Sequence, residues 1–410
     1  MTTQKQSKLL SRKEIAIIGG GPSAMIAADI LSPFHNVTIY EKEKGIGQKF
    51  LVAGKGGFNL TNSLTGIELA AQYSPQEFMQ DAILTFDSQS LREWFSDLGI
   101  ETFVGTSGRV FPVKGIKPAE VLDKIKEKLL SQNVKIKQGC AFVGFDDKRN
   151  AIINFGGKSK SIFADHYVFA LGGASWSNTG SDGKWAKYFA DIGINTIPFE
   201  ASNCGVNIKW NDHIIENHAG KPLKNISVTV GETTRKGEAV ITNYGLEGNV
   251  IYPLVPKIRE HLNNKSKAEI VIDFKPDNSS DDLLKKVNNN ISSKNYGEIF
   301  NLKREQLSII KSFSTKEEFL SPESFVNKIK GLTIRVESLR DIEEAISTVG
   351  GIDLNELNKD FSLKKYPNIY CIGEMVNWDA PTGGFLLQGA FSMGYSSAVS
   401  LIRSITNLFA

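Results

Sequence analysis

Gly19, Gly21 and Ala24 stand in the spacing G-x-G-x-x-A, and Glu41 follows twenty-two residues after Gly19. Glycines at this spacing let backbone N–H groups approach a diphosphate, and an acid at that distance can accept hydrogen bonds from ribose hydroxyls, so the chemistry on offer is dinucleotide binding. Gly19 suits a tight turn, Gly21 leaves room for the pyrophosphate, and Ala24 keeps a helix close to a strand. With Pro22 and Ser23 at the helix start, the free N–H groups and positive dipole end attract phosphate. Such a motif means little without its frame. Here Ile15 to Ile18 predict a buried strand before it, helix formers follow it, and Val37 to Tyr40 predict a second strand that ends at Glu41. The frame is a β-α-β unit.

Two further strand ends carry glycine. His166 to Leu171 predict a buried parallel strand running through Ala170 into Gly172-Gly173, and Tyr366 to Ile372 predict another that ends at Gly373-Glu374. Ligands of open α/β sheets bind at such carboxyl edges. Thr382-Gly383-Gly384-Phe385 then opens a long C-terminal helix with Gln388 one turn inside it. Residues 41–63 form a long Gly-rich segment with little periodicity, and 105–115 (GTSGRVFPVKG) reads as another loop; long loops inside compact domains are usually functional.

With 410 residues the chain suits two or three domains, and its net charge of +3 is too small to argue for nucleic acid by itself. The tail before the first strand has no apolar stretch of the secretory kind, and no run approaches the length of a membrane span. Three cysteines lie far apart without disulfide or dithiol spacing, and the five histidines show no metal-ligand spacing, so no metal is expected. A cytoplasmic enzyme is expected. From about Pro198 the character changes: Ile226–Val230 and Ala239–Thr242 alternate as in antiparallel sheet, and 277–330 is rich in Asn, Ser and Lys with helical spacing at Leu283, Leu284, Val287 and Ile291.

GGGPSAMIAA at 19–28, GQKFLVAGKGGFNLTNS at 47–63, SGRVFPVKG at 107–115, ALGGASWSNTGSDG at 170–183, ITNYGLEG at 241–248, VGGIDL at 349–354 and GEMVNWDAPTGGFLLQGAFSMG at 373–394 follow one another in the order of a known family. The chain resembles the bacterial flavoproteins that include the BaiN-like and aminoacetone-oxidase-like proteins, and the resemblance spans nearly its whole length. It departs at Gly54-Lys55-Gly56-Gly57-Phe58-Asn59, where many members have G-G-G-R-C-N, which suggests a separate branch without that cysteine.

The resemblance implies an α/β fold: a Rossmann-type FAD-binding domain of the two-dinucleotide-binding flavoprotein kind, formed by 1–197 and 350–410. A β-barrel-like substrate domain (198–276 and 331–349) and a helical insertion (277–330) would lie within it. It implies FAD at the first motif, with Gly172 and Gly173 near the adenine half, and Gly373 and Glu374 near the ribityl chain and pyrophosphate. The turn Gly383-Gly384 with Phe385 and Gln388 would lie at the flavin edge. Lys42, Lys49, Gly54, Lys55, Gly56, Gly57, Asn59 and Leu60 would line the cofactor from the 41–63 segment. Arg109 is the candidate substrate-facing cation, Tyr244 a candidate proton donor, and Lys55 a third candidate for the chemistry. The expected activity is hydride transfer on a small organic substrate, with NAD(P)H or O₂ as redox partner. An RNA-modifying reductase making dihydrouridine in ribosomal RNA, and a flavin-binding sensor without turnover, are the alternatives.

Overall fold

The computed structural model describes residues 12–52, 58–287 and 292–407. The chain divides into two units, Met1–Glu200 with Ser347–Ala410, and Ala201–Ile346.

In chain order the first unit carries, among other elements, β1 (Glu14–Ile18), α1 (Pro22–Leu31), β2 (Asn36–Tyr40), β3 (Thr61–Asn62), β4 (Thr102–Val104), β5 (Arg109–Pro112), α2 (Pro118–Ser131), β6 (Lys135–Lys137), β7 (His166–Phe169), β8 (Ile369–Cys371) and α3 (Phe385–Asn407). Five strands form one parallel sheet in the order β8-β7-β1-β2-β6. A parallel sheet is covered on both faces, which is why its strands read as apolar runs rather than alternations. Ile17, Ile39, Phe169 and Cys371 are all fully buried. The β1-α1-β2 crossover sets Ile15 opposite Val37 and Ile18 opposite Tyr40, and brings both loops after β1 and β7 to the same edge. This is the Rossmann-type arrangement expected from the sequence.

Helix α1 is built of small residues because it is squeezed: Ala24, Met25, Ala27 and Ala28 show 0–1% exposure. It packs on α3, where a Cβ added at Gly394 would stand 2.3 Å from the Ser23 carbonyl oxygen. The first and last segments of the unit therefore share one core. Against the sequence expectation, α3 is long and apolar enough by length and composition to cross a membrane, yet 56% of that apolar window is buried inside the protein. Its apolarity is that of a core helix.

Two segments expected as loops contain regular structure. Gln48–Val52 is a short helix, and Arg109–Pro112 is the central strand of a small antiparallel sheet of order β3-β5-β4. The four residues of β5 are too few to show an alternation in sequence, although Val110 and Pro112 do face the interior.

The second unit is built on a seven-stranded antiparallel sheet. Its order runs Leu332–Val336, Ala268–Asp273, Pro222–Val230, Thr233–Ile241, Gly245–Glu247, Val206–Asn207, Ser338–Leu339. Ile226, Val228, Ile270, Ile272 and Ile334 form its buried face with Phe325 and Ile329 of the helix Pro322–Lys330. Among the described residues, 277–330 contribute that helix and four shorter or equal ones, and Ile291 lies outside the described residues.

Candidate functional site

The loop after β1 is fixed by what surrounds it. Gly19 has φ +100°, and a Cβ there would meet the Ala170 carbonyl oxygen at 2.3 Å, so only glycine fits against β7. Two residues on, Gly21 is extended at φ −77° and has nothing within 4 Å of the position its Cβ would take. Pro22 occupies the first turn of α1, and no side chain caps the helix. Beside the N–H groups that open α1, no atom of the described residues fills the place of a Gly21 side chain, the geometry in which helix N-termini hold anions. Glu41 closes one side. Its Oε2 accepts from the Gly20 N–H at 2.7 Å and its Oε1 from the Glu43 N–H at 2.8 Å. Burial pushes this carboxyl up, and the two N–H bonds pull it back. A carboxylate offers about four lone-pair sites, so two hydroxyls could still be accepted.

The ends of β7 and β8 form the next wall. A Cβ on Gly173 would stand 2.1 Å from Thr348 Oγ1, and one on Gly373 would stand 2.6 Å from Ser23 Oγ, which packs both strand ends tightly on their neighbours. Glu374 is bridged: Oε2 meets Lys49 Nζ at 2.8 Å and Oε1 accepts from the Thr348 N–H at 3.0 Å. Lys49 also donates to Ser175 Oγ at 3.0 Å, and Lys42 pairs with Asp182 at 3.0 Å. Lys42 and Lys49, both expected along the cofactor, thus each pair with a carboxylate. Ser181 Oγ is buried, without a partner among the described residues, 3.0 Å from where a Gly172 Cβ would be. An orphaned hydroxyl beside the Gly172-Gly173 loop suits a polar ligand group in that wall.

The Thr382-Gly383-Gly384 turn forms the third side. Gly384 has φ +101°, and a Cβ there would lie 2.3 Å from the backbone of Thr61, so the turn sits directly on β3. Asn62 Nδ2 donates to the Gly383 carbonyl at 3.2 Å, and the Tyr73 hydroxyl donates to the Phe385 carbonyl at 2.7 Å. Gln388, expected at the cofactor, has another task. Its Oε1 accepts from Thr61 Oγ1 at 2.6 Å, its Nε2 donates to Phe86 O and Ser392 Oγ at 2.9 Å each, and the side chain is wholly buried. Leu60 is also fully buried, with its N–H on the Val110 carbonyl. Arg109 stands at the turn, Nε 3.6 Å from the position of a Gly383 Cβ. Asn59 is half-buried next to Leu60. Gly54, Lys55, Gly56 and Gly57 lie outside the described residues.

Residues 13–400 match the family model described as the HI0933-like protein Rossmann domain. The chain belongs to the HI0933-like family. A 3-dehydro-bile acid delta(4,6)-reductase of Clostridium scindens is 26% identical over 405 residues, covering 93% of this chain and 97% of the relative. A ribosomal RNA dihydrouridine synthase of Escherichia coli is 23% identical over 412 residues, covering 96% and 99%. Among solved structures, a 3-ketosteroid delta1-dehydrogenase from Sterolibacterium denitrificans superposes with a TM-score of 0.51 at 13% identity, covering 96% of this chain and 100% of that one. At that identity it speaks for the fold.

Tyr244 belongs to the second unit and is described within it. Its hydroxyl donates to Glu247 Oε2 at 2.5 Å, and the Arg340 guanidinium lies 4.1 Å over its ring. Burial first, then the Glu247 carboxylate, hold its phenol far above the usual range. Tyr252 is pushed up to about 12, again by burial and then by Glu247. The three cysteines are buried thiols, and burial raises both Cys140 and Cys371.

Thr61, Thr348, Ser175 and Ser181 escaped the sequence reading. Each is a small hydroxyl next to a glycine or strand end, and no spacing distinguishes such a residue from any surface Ser or Thr. The one usable sign is that Thr348 directly precedes Val349-Gly350-Gly351.

Proposed function

We propose that the chain is an oxidoreductase that holds FAD non-covalently at the carboxyl edge of its parallel sheet and acts on a small organic molecule. One observation carries the reading: the uncapped start of α1 stands behind a Gly21 with no atom of the described residues within 4 Å of its missing Cβ. The diphosphate would sit there, with the adenosine ribose on Glu41 and the adenine half along Gly172-Gly173. Gly373, Glu374 and the Gly383-Gly384 turn would flank the ribityl chain and ring. The orphaned Ser181 hydroxyl fits this occupant. Three separate turns serving one edge favour FAD over a nicotinamide dinucleotide, whose single loop would leave the other two without a task.

FAD supplies two-electron hydride chemistry when bound, with NAD(P)H or O₂ as redox partner. The chain's own residues bind and orient. The α1 N–H groups neutralise the diphosphate, the Lys49–Glu374 pair fixes the strand end, and the Thr61–Gln388 bond anchors the turn. The name of the Clostridium relative, a reductase, supports a reductive direction. The substitution of the G-G-G-R-C-N pattern by residues 54–59 supports a branch without that thiol.

The RNA reading is not favoured. Within 277–330, Lys285 pairs with Asp282, Lys328 with Glu318 and Lys330 with Asp273, so three of its nine Lys and Arg side chains already face a carboxylate. Acid release of the cofactor from purified protein, chromatographed against FAD and FMN, tests the proposal. Yellow protein releasing FAD is the expected result, and colourless protein that takes up no FAD overturns it.

A further inference from the structure

The small β3-β5-β4 sheet turns Thr61 and the buried Val110 to one face and a different set of side chains to the other. Along β5, Val110 and Pro112 are buried, while Arg109 and Phe111 lie half-buried on the opposite face. The register sets Asn62 opposite Arg109 and Phe103 opposite Phe111, so these four share that face. Phe103 is 41% exposed, and its ring stacks on Phe111 at 5.7 Å and 28°. Gly105 keeps the face uncovered, since a Cβ there would already press on Phe111 at 3.0 Å.

Arg109 is the unusual member. Among the described residues it has neither a carboxylate nor a hydrogen-bond partner. Its neighbour Asn62 makes its bonds elsewhere, Nδ2 donating to Gly383 O and Oδ1 accepting from the Leu64 N–H. Half-burying a guanidinium without a counter-charge is costly, and the fork of an arginine matches a carboxylate in particular. Beside it lie the exposed ring of Phe103 and the half-buried ring of Phe111, the kind of surface that anchors apolar bodies. Residues two apart on one strand face are about 7 Å apart, and the next strand adds about 5 Å.

We infer that this face, beside the Gly383 turn, binds an amphipathic carboxylate, with Arg109 on the acid group and the Phe103–Phe111 pair under a ring-sized apolar body. The spacing excludes short acids such as acetate, whose carbon ends before the rings begin. The inference rests on the oxidoreductase reading for the fate of the bound acid, which would be the substrate; the binding itself needs only the sheet.

The test uses the protein as purified and three probes: 4-phenylbutanoate, 4-phenyl-1-butanol and acetate, titrated by calorimetry and by perturbation of any flavin absorbance. The wild type is expected to bind the aryl acid at least about tenfold more tightly than the alcohol, the low end of what a charged hydrogen bond is worth, and acetate more weakly than either. Arg109→Gln is expected to lose the preference for the acid while leaving the alcohol unchanged. Phe103→Ala, at an exposed site, is expected to weaken acid and alcohol alike by several-fold. Arg109→Lys serves if Arg109→Gln does not fold, and should keep only part of the preference. Equal affinity of acid and alcohol for the wild type overturns the inference. So does an Arg109→Gln variant whose flavin spectrum shifts while its affinity for the acid stays. Colourless protein that still binds the acid sinks only the flavin reading; yellow protein that ignores it sinks only this one.

Discussion

Two glycines of one motif should fail in opposite ways. Gly21 is extended, a conformation open to any residue, and its absent Cβ points into a space with no atom of the described residues within 4 Å. Gly21→Leu should therefore cost the fold little: about 1 kcal/mol for replacing glycine at a helix N-cap, or about 2–4 °C for a unit of this size. The isobutyl group would instead occupy the place of a diphosphate. Losing two charge-assisted N–H contacts at roughly 1.5–3 kcal/mol each weakens FAD by about 100-fold or more. Gly19→Ala reverses the pattern. Its φ of +100° strains any side chain, and the new methyl would overlap the Ala170 carbonyl at 2.3 Å. Strain of about 1–3 kcal/mol and overpacking of about 1–3 kcal/mol together predict a melting point lower by about 5–20 °C. Thermal melts of FAD-free protein and titration of flavin fluorescence separate the two. A Gly21→Leu protein that holds FAD within threefold of the wild type, or melts as low as Gly19→Ala, refutes the reasoning.

Gln388→Leu should destabilise rather than discolour: it strands the Thr61 hydroxyl in a dry interior, at about 1–3 kcal/mol by urea titration, while the Phe86 carbonyl keeps its bond from Ser392 Oγ. Loss of FAD affinity with unchanged urea midpoint would return it to the cofactor. Stability should also fall on mild acidification. Burial holds His166 below its usual range, and burial followed by the charge of His166 does the same for His35. Both are then neutral in the folded protein but protonated in the unfolded chain below about pH 6.5. The unfolded state binds more protons there, so stability is full above that pH and declines as pH drops beneath it. Urea midpoints at pH 5.5 and 7.5 should differ less in a His35→Gln/His166→Gln protein than in the wild type; an unchanged difference contradicts the assignment.

Apolar runs and backbone punctuation were the legible part of the sequence. Ile15–Ile18, the glycines after it and Glu41 could be read together because a β-α-β unit forces all of them into a short window. The Gly172-Gly173 and Gly383-Gly384 turns were visible for the same local reason. What stayed hidden depends on distant partners. Lys49 could be read only as a residue along the cofactor, because nothing in its neighbourhood reveals that Glu374, far along the chain, lies 2.8 Å away. Gln388 looked like a cofactor contact because Thr61 and Phe86 are equally remote. The strand Arg109–Pro112 is too short for periodicity, and its role emerges only from its pairing with β3 and β4.

The packing of α1 on α3 offers a test in which two physical rules give opposite signs. Gly394 lies inside a 23-residue helix, where replacing glycine by alanine ordinarily gains about 1 kcal/mol of helix propensity. Here the added methyl would stand 2.3 Å from the Ser23 carbonyl oxygen and 2.7 Å from Ile26 Cγ2. The oxygen belongs to the backbone of α1 and cannot rotate away, so the helices must separate, and α1 also carries the N–H groups proposed to hold the diphosphate. Overpacking costs about 1–3 kcal/mol and more where backbone must move. Gly394→Ala should therefore lower the melting point despite its better propensity, and weaken FAD as α1 shifts. Gly389→Ala is the control. Its nearest contacts, at 2.8 Å, are ring atoms of Trp378 and Tyr73, which can swing by a few tenths of an ångström. It should be milder than Gly394→Ala in both measurements. If Gly394→Ala instead raises the melting point, propensity has won, and the contact between the two ends of the chain is looser than this packing requires.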